Sequence, residues 1–91
     1  MKITHKFVRE IPQDLHENIL YISLPFKVAV HLCACGCGEQ VVCGLRPKWK
    51  DGWELKENGG LVSLRPSIGN WGGQRPYHAH YYITDNKIEW L

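Results

Sequence analysis

Residues 33–38 read Cys33-Ala34-Cys35-Gly36-Cys37-Gly38, which places three thiols within five consecutive positions. Further along the chain, His78-Ala79-His80 adds two imidazoles. Zinc in proteins prefers four sulfur or nitrogen ligands, commonly supplied by two separate segments. Gly36 between two of the cysteines and Gly38 after the third allow a tight ligand loop. Residues two apart on a strand point to the same face. The two segments therefore predict one structural site for a Zn²⁺ cofactor that closes a long loop and clamps the fold.

The length of the chain limits how it can be stabilised. Its 91 residues suit a single domain, residues 1–91, whose small core leaves a thin margin of stability. Residues 1–6 contain no apolar signal segment, and no stretch has the length of a membrane span. We therefore expect a cytoplasmic protein with no membrane partner. In that compartment thiols stay reduced, and clustered cysteines bind metal more often than they form disulfides.

Five residues compete for the four ligand places of the zinc site. Cys35 and Cys37 flank the glycine turn and are the strongest candidates, followed by His80. Cys33 and His78 compete for the fourth place, and the residues alone do not choose between them. The sequence lacks the His-Glu-x-x-His pattern of many catalytic zinc sites, so a closed structural site is expected.

Short apolar runs separated by turn residues predict a mainly β fold, either a small antiparallel sheet or a two-sheet sandwich. Asn58-Gly59-Gly60 and Asp85-Asn86 are expected to form tight hairpin turns. The cysteine segment should occupy the tip of a zinc-knuckle hairpin, with Cys43 buried in the strand that follows. Residues 12–18 allow at most one short helix. The strand candidates are residues 2–9, 19–24, 27–32, 40–45, 53–56, 61–64, 77–83 and 87–91.

The segment from Ser67 to Pro76 is rich in glycine and is expected to form a loop. Its Trp71 either covers the small core or the metal, or belongs to a recognition surface. For a partner-binding role, the residues to test are Arg65, Asn70 and Trp71.

A second candidate surface mixes cations with aromatic rings. Lys48, Trp49, Lys50 and Trp53 form the combination that single-stranded nucleic-acid-binding proteins use for phosphate contacts and base stacking. A net charge of +2 is too small to indicate nucleic acid by itself. Aromatic residues and arginine also mark protein interfaces, and composition does not separate the two roles.

Three motifs occur in the order in which one known family has them. They are the cysteine segment 33–38, Ser63-Leu64-Arg65-Pro66-Ser67-Ile68-Gly69-Asn70-Trp71, and His80-Tyr81-Tyr82-Ile83 with Trp90 at the end. Over about residues 20–91 the chain resembles a family of small bacterial and phage zinc-binding proteins of unknown function. Some members are encoded beside ubiquitin-like modifiers and their conjugating enzymes. The resemblance implies a zinc protein with an accessory role in ubiquitin-like conjugation or in phage defence.

The chain departs from the family pattern at one position. Where the pattern has a cysteine shortly before the histidine of the third motif, this chain has Tyr77, which is not a zinc ligand. The motif keeps His80 and leaves the fourth ligand to His78 or Cys33. A metal-free variant of the same fold also stays open.

Taken together, these observations favour a non-enzymatic, zinc-stabilised protein-interaction module, with components of a ubiquitin-like pathway as its partners. The alternative is a single-stranded nucleic-acid-binding protein that uses the aromatic and basic residues named above. An enzyme is the less favoured class, and a cysteine nucleophile would require a reactive, accessible thiol. Exposed edge strands can pair between two copies of the chain, so the sequence also allows a homodimer.

Overall fold

The computed structural model describes residues 1–70 and 79–91, and all of its regular secondary structure is β. The predicted mainly β fold is confirmed. In these two ranges the structure contains no helix with the length and hydrophobicity of a membrane span. The strands are β1 Thr4–Phe7, β2 Ile19–Ser23, β3 Val28–Leu32, β4 Gln40–Gly44, β5 Glu54–Asn58, β6 Leu61–Asn70, β7 Ala79–Thr84 and β8 Lys87–Trp90.

The strands form two four-stranded sheets that share one core. The first sheet has the order β1-β2-β3-β4, and the second has the order β5-β6-β7-β8. Single bridges link the sheets, Lys2 with Lys87 and Leu45 with Trp53. The predicted two-sheet arrangement is therefore confirmed. All neighbouring strands run antiparallel except β1 and β2, which pair in parallel because residues 8–18 return the chain to the end of the sheet where β1 began.

Both sheets contribute side chains to the core. In β7, Ala79, Tyr81 and Ile83 are buried, and the residues between them are partly exposed, as the two-residue period of a strand dictates. Burial of Cys43 confirms its predicted place inside a strand. The buried core cluster consists of Leu20, Ile22, Ala29, Cys33, Cys43, Leu45, Val62, Leu64, Ile68, Ala79, Tyr81, Ile83 and Ile88.

Both predicted hairpin turns are confirmed. Gly59 and Gly60 have φ angles of 60° and 81° between β5 and β6, and Asp85 and Asn86 have φ angles of 47° and 60° between β7 and β8. Positive φ at two successive residues matches the twist of the flanking strands. The Asn86 side chain accepts a hydrogen bond from the backbone N–H of Val62 at 2.7 Å, which ties the second turn to β6.

Two expectations about local structure differ from what is observed. Residues 12–18 contain bends and a turn but no helix. The glycine-rich composition predicts a loop that begins at Ser67, and this is wrong for Ser67 to Asn70, which complete β6. Pairing of Gly69 with His80 on β7 satisfies the backbone groups that a loop would have left to water. The rest of that predicted loop, residues 71–76, lies outside the described residues.

One polar pair lies inside the core. His31 of β3 is 5% exposed, and its Nε2 lies 2.6 Å from the hydroxyl of the fully buried Tyr81 on β7. Burial lowers the pKa of His31 to about 4, so the ring is neutral near pH 7. The same hydroxyl accepts a hydrogen bond from the backbone N–H of Ala34 at 3.5 Å. The pair therefore joins the two sheets and connects them to the cysteine segment.

We expect Tyr81→Phe to lower the free energy of unfolding by about 1–3 kcal/mol, because it leaves the buried His31 ring without its hydrogen bond. Urea denaturation monitored by circular dichroism measures the change. Tyr82→Phe is the matched control, because Tyr82 lies on the opposite, partly exposed face of β7 and should change stability by less than about 0.5 kcal/mol. Equal losses in the two variants would contradict the role assigned to the buried pair.

Candidate functional site

An irregularity in β6 places Ser67 outside the regular ladder of the sheet. Leu64 pairs with Ile83, but the next partner of β7 is Ile68, which pairs with Tyr81. The three residues 65–67 therefore stand opposite a single residue of β7. Extra residues in one strand bend the backbone and redirect side chains, and such bulges are frequent next to active sites. We call residues 65–67 the β6 bulge.

The β6 bulge brings the side chain of Ser67 against His80. Ser67 Oγ lies 2.9 Å from Nε2 of His80, and both residues are partly buried. His80 is held in β7, where it pairs with Gly69 and where its carbonyl oxygen accepts a hydrogen bond from the backbone N–H of Leu91 at 3.0 Å. A serine hydroxyl in hydrogen-bond reach of an imidazole is the arrangement of a nucleophile with its general base.

The backbone of the β6 bulge is held from two sides. On one side, the indole N–H of Trp53 donates to the carbonyl oxygen of Ser67 at 3.3 Å. On the other side, the guanidinium of Arg65 donates to the carbonyl oxygens of Leu64 at 2.8 Å and Ile83 at 3.1 Å. It also donates to the hydroxyl of Thr84 at 2.7 Å and lies 4.5 Å from the centre of the Tyr82 ring. These contacts tie the bulge to its neighbours in the sheet.

The cysteine segment forms the connection of the β3–β4 hairpin, as predicted. The backbone N–H of Cys33 donates to the carbonyl oxygen of Glu39 at 2.8 Å and closes the loop. Gly36 and Gly38 have φ angles of 86° and 83°, a region that other residues rarely enter, and this lets the chain turn between the thiols. The backbone N–H of Ala34 donates to the side-chain hydroxyl of Tyr81, so the segment folds against β7.

Three sulfur atoms converge in this loop. Those of Cys33, Cys35 and Cys37 all lie within 4.8 Å of one another, with Cys33 buried and the other two exposed. None of the four cysteines forms a disulfide. Partial desolvation, followed by hydrogen bonds with the thiols of Cys33 and Cys37, raises the pKa of Cys35 to about 11. Sulfur ligands at this spacing could hold a metal ion. The neighbouring thiols disfavour the thiolate form of Cys35, whereas the positive charge of a bound ion would favour it.

The fourth cysteine does not belong to this group. Burial raises the pKa of Cys43 to about 12, so its thiol stays protonated inside the core. It packs there as a small apolar side chain, which agrees with the sequence expectation.

The other predicted site residues are distributed over β6, β7 and the segment between them. Arg65 lies in the β6 bulge, and Asn70 ends β6 opposite Ala79. His80 lies against Ser67, and among the described residues the group of converging metal-ligand atoms contains the three cysteines without it. His78 and Trp71 lie outside the described residues. The metal role of His78 and His80, and the partner-binding role of Arg65, Asn70 and Trp71, therefore stay predictions.

Sequence reasoning missed Ser67 and His31 as residues of interest in this region. It named His80 as a metal ligand and not as a partner of Ser67, although Ser67 belongs to the second motif and His80 to the third. Without the register of the β6 bulge, however, nothing places one against the other. His31 gave no signal, because a histidine in an apolar run reads as an ordinary strand residue.

Comparison with known proteins assigns the chain to a family. The family model described as "Bacterial ubiquitination-like system serine protease (BubE)" matches residues 7–91. The chain belongs to this family. The predicted association with ubiquitin-like systems is confirmed at this level, and membership indicates protein partners. No curated protein and no solved structure matches the chain.

We expect Arg65→Lys to lower the free energy of unfolding by about 1 kcal/mol, because a single ammonium cannot reproduce the forked donation of Arg65 to both strands, and partial exposure weakens each contact. Thermal unfolding gives the value. Arg9→Lys makes the same chemical change at an exposed position and should shift stability by less than about 0.5 kcal/mol. An unchanged melting temperature for Arg65→Lys would show that the hydrogen bonds of Arg65 do not stabilise the β6 bulge.

Proposed function

We propose that this chain is a peptidase of a bacterial ubiquitination-like system, with Ser67 as the nucleophile and His80 as the general base. The observation that carries the proposal is the 2.9 Å contact between Ser67 Oγ and His80 Nε2. The printed description of the family, a serine protease of such a system, supports the same chemistry. The substrate class that follows is a protein substrate of such a system, cleaved at a peptide or isopeptide bond.

The reaction follows from the geometry of the pair. Ser67 Oγ attacks the carbonyl carbon of the scissile bond while its proton passes to His80 Nε2. The tetrahedral intermediate collapses, the carbon–nitrogen bond breaks, and His80 returns the proton to the departing amine. Water then attacks the serine ester with His80 again taking its proton, which releases the carboxylic acid and restores the Ser67 hydroxyl.

Position in the sheet explains why the pair can work. Ser67 lies in a bulge whose backbone is hydrogen-bonded to Trp53, and His80 lies in a central strand with partners on both sides. Groups held by rigid elements keep a reactive geometry better than groups on free loops. Partial burial also limits the water around the hydroxyl before substrate arrives.

We further propose that Cys33, Cys35 and Cys37 hold one structural zinc ion, with His78 as the fourth ligand. Convergence of three sulfurs within 4.8 Å supports the donor set, and thiolates are ligands that zinc prefers. In this arrangement His80 is left to Ser67. When bound, the ion would tie the β3–β4 connection to the chain just before β7 and thereby stabilise the strand that carries His80.

A non-enzymatic, zinc-stabilised interaction module is the competing proposal, and the same cysteine cluster supports it. The two proposals differ in what they require of Ser67. For an interaction module the hydroxyl is dispensable, whereas for a peptidase it is the reacting atom. One substitution therefore separates them.

Ser67→Ala should reduce cleavage of a bacterial ubiquitin-like protein extended by a C-terminal peptide by about 10³-fold or more, because no other group replaces the nucleophile. His80→Gln should reduce it to a similar extent, since the two residues act as a unit. Mass spectrometry of the products over time measures the rate. Ser63→Ala makes the same change in the same strand and should keep the rate within about threefold. Full activity of Ser67→Ala would exclude the peptidase mechanism.

Purified protein should contain about one equivalent of zinc, and Cys35→Ser should lose most of it, because one of three converging sulfurs is removed. Cys43→Ser is the control, since that thiol lies in the core away from the cluster, and its variant should keep the metal. Elemental analysis by plasma mass spectrometry gives the content. Less than about half an equivalent in the unmodified protein, prepared without chelators, would refute the zinc site.

A further inference from the structure

A cleft of about 330 Å³ opens at the connection between β4 and β5, and Trp53 forms one of its walls. The indole N–H of the same Trp53 donates to the carbonyl oxygen of Ser67. One ring takes part in both contacts, so Trp53 connects the cleft with the backbone of Ser67. Its lining consists of Gly44, Trp49, Lys50, Asp51, Gly52 and Trp53.

The second aromatic wall, Trp49, is exposed but held in place. Trp49 is 48% exposed. A Cβ at Gly44 would lie 2.6 Å from Cγ of Trp49, so only glycine lets the ring lie on the end of β4. A Cβ at Gly52 would collide with the carbonyl oxygen of Gly44, so glycine is also needed where the turn closes. Backbone hydrogen bonds of Trp49 to Leu45 at 3.2 Å and of Gly52 to Trp49 at 2.9 Å complete the turn.

A large ring that the backbone holds at the surface is suited to binding. It offers apolar area, and little conformational entropy is lost when a ligand covers it. Tryptophan is also the residue type most enriched among the side chains that dominate binding energy at interfaces. Trp49 and Trp53 together therefore form a preformed site for an apolar group.

Basic residues outnumber acidic ones in the segment 46–51, which supplies part of the cleft lining. Arg46, Lys48 and Lys50 are exposed, and Asp51 is the one acidic residue in the segment 46–51. The ammonium of Lys48 lies 5.6 Å from the centre of the Trp49 ring. A ligand that carries carboxylates next to its apolar group would match this charge distribution.

We propose that the Trp49–Trp53 cleft is a substrate subsite that binds an apolar side chain flanked by acidic residues, in the peptide segment next to the bond that Ser67 attacks. The proposal rests on the peptidase function proposed above and adds the sequence class that the site selects. Trp53 belongs to both the subsite and the segment that carries the nucleophile. Its ring forms a wall of the subsite, and its N–H donates a hydrogen bond to the backbone of Ser67.

A peptide fits the cleft better than a nucleic acid. Binding of single strands relies on several open rings along a basic groove. Here Trp53 packs against the core and donates its N–H to Ser67, so Trp49 is the exposed ring of this cleft. A net charge of +2 by itself does not indicate phosphate binding. The proposed attack by Ser67 also requires a peptide carbonyl group close to the serine hydroxyl.

The test uses the full chain with Ser67→Ala, which retains the cleft and does not consume the probe. The probe is a fluorescein-labelled peptide, Gly-Glu-Phe-Glu-Gly-Gly, and fluorescence anisotropy measures its Kd. Adding Trp49→Ala should weaken binding at least tenfold, because the open ring is lost. Phe26→Ala removes another aromatic residue, 50% exposed in the turn between β2 and β3, and should change Kd less than twofold.

Charge is tested in the same assay. Lys50→Glu should weaken binding of the acidic peptide several-fold and should not weaken binding of its counterpart with Lys in place of both Glu residues. Lys6→Glu, on the exposed side of β1, is the control and should leave both affinities unchanged. In the chain with Ser67 intact, Trp49→Ala should raise KM for the extended ubiquitin-like protein at nearly constant kcat.

The outcomes separate this proposal from the peptidase function. Unchanged Kd and KM in Trp49→Ala would overturn the subsite, even if Ser67→Ala abolishes cleavage. Peptide binding that depends on Trp49, together with loss of cleavage in Ser67→Ala, would support the substrate subsite. The same binding with full activity of Ser67→Ala would leave a peptide-binding cleft and would overturn its role as a subsite of Ser67. Salt-sensitive binding of a ten-nucleotide oligothymidylate that is lost in Trp49→Ala, with no binding of the peptide, would overturn it in favour of a nucleic-acid surface.

Discussion

The hydrogen bond between Tyr81 and His31 joins the two sheets, and both candidate sites depend on it. Tyr81 is fully buried in the middle of β7, so the strand cannot slide by one residue without turning that hydroxyl out of the core. Register and face are thereby set for the whole strand. With Tyr81 directed inward, His80 must point to the opposite face, where Ser67 reaches it from the β6 bulge.

The same tyrosine connects the reactive pair with the cysteine cluster. Its hydroxyl accepts a hydrogen bond from Ala34, in the loop that carries the three converging thiols. The two sites therefore lie on either side of one strand, and a metal ion in the cluster would stabilise the strand that carries the proposed base. In a chain of 91 residues, whose core is small, a metal ion at this place would contribute a large part of the stability of the fold. In the proposed function, the cysteines therefore have a supporting role and the chemistry belongs to Ser67 and His80.

Local features of the fold could be predicted from the sequence, and long-range features could not. Turn residues such as Gly59 and Asn86 need positive φ whatever surrounds them, so the hairpins were predictable. Spacing of thiols within one loop is likewise local, and the cluster was found for that reason. The β6 bulge depends on the register between β6 and β7, which the pattern of apolar residues does not encode. Because the bulge could not be predicted, Ser67 was not identified as a candidate nucleophile. Parallel pairing of β1 with β2 was missed for a similar reason, since it is decided by the path of residues 8–18.

The central claim is that Ser67 is a nucleophile activated by His80. Incubation with a fluorophosphonate, followed by proteolysis and mass spectrometry, tests it without any assumption about the natural substrate. An activated serine hydroxyl attacks the phosphorus atom and displaces fluoride, whereas ordinary serine hydroxyls do so very slowly. We expect one adduct per chain, located on Ser67 and lost in the His80→Gln variant. No adduct on the folded, metal-loaded protein, or an adduct on another serine, would contradict it.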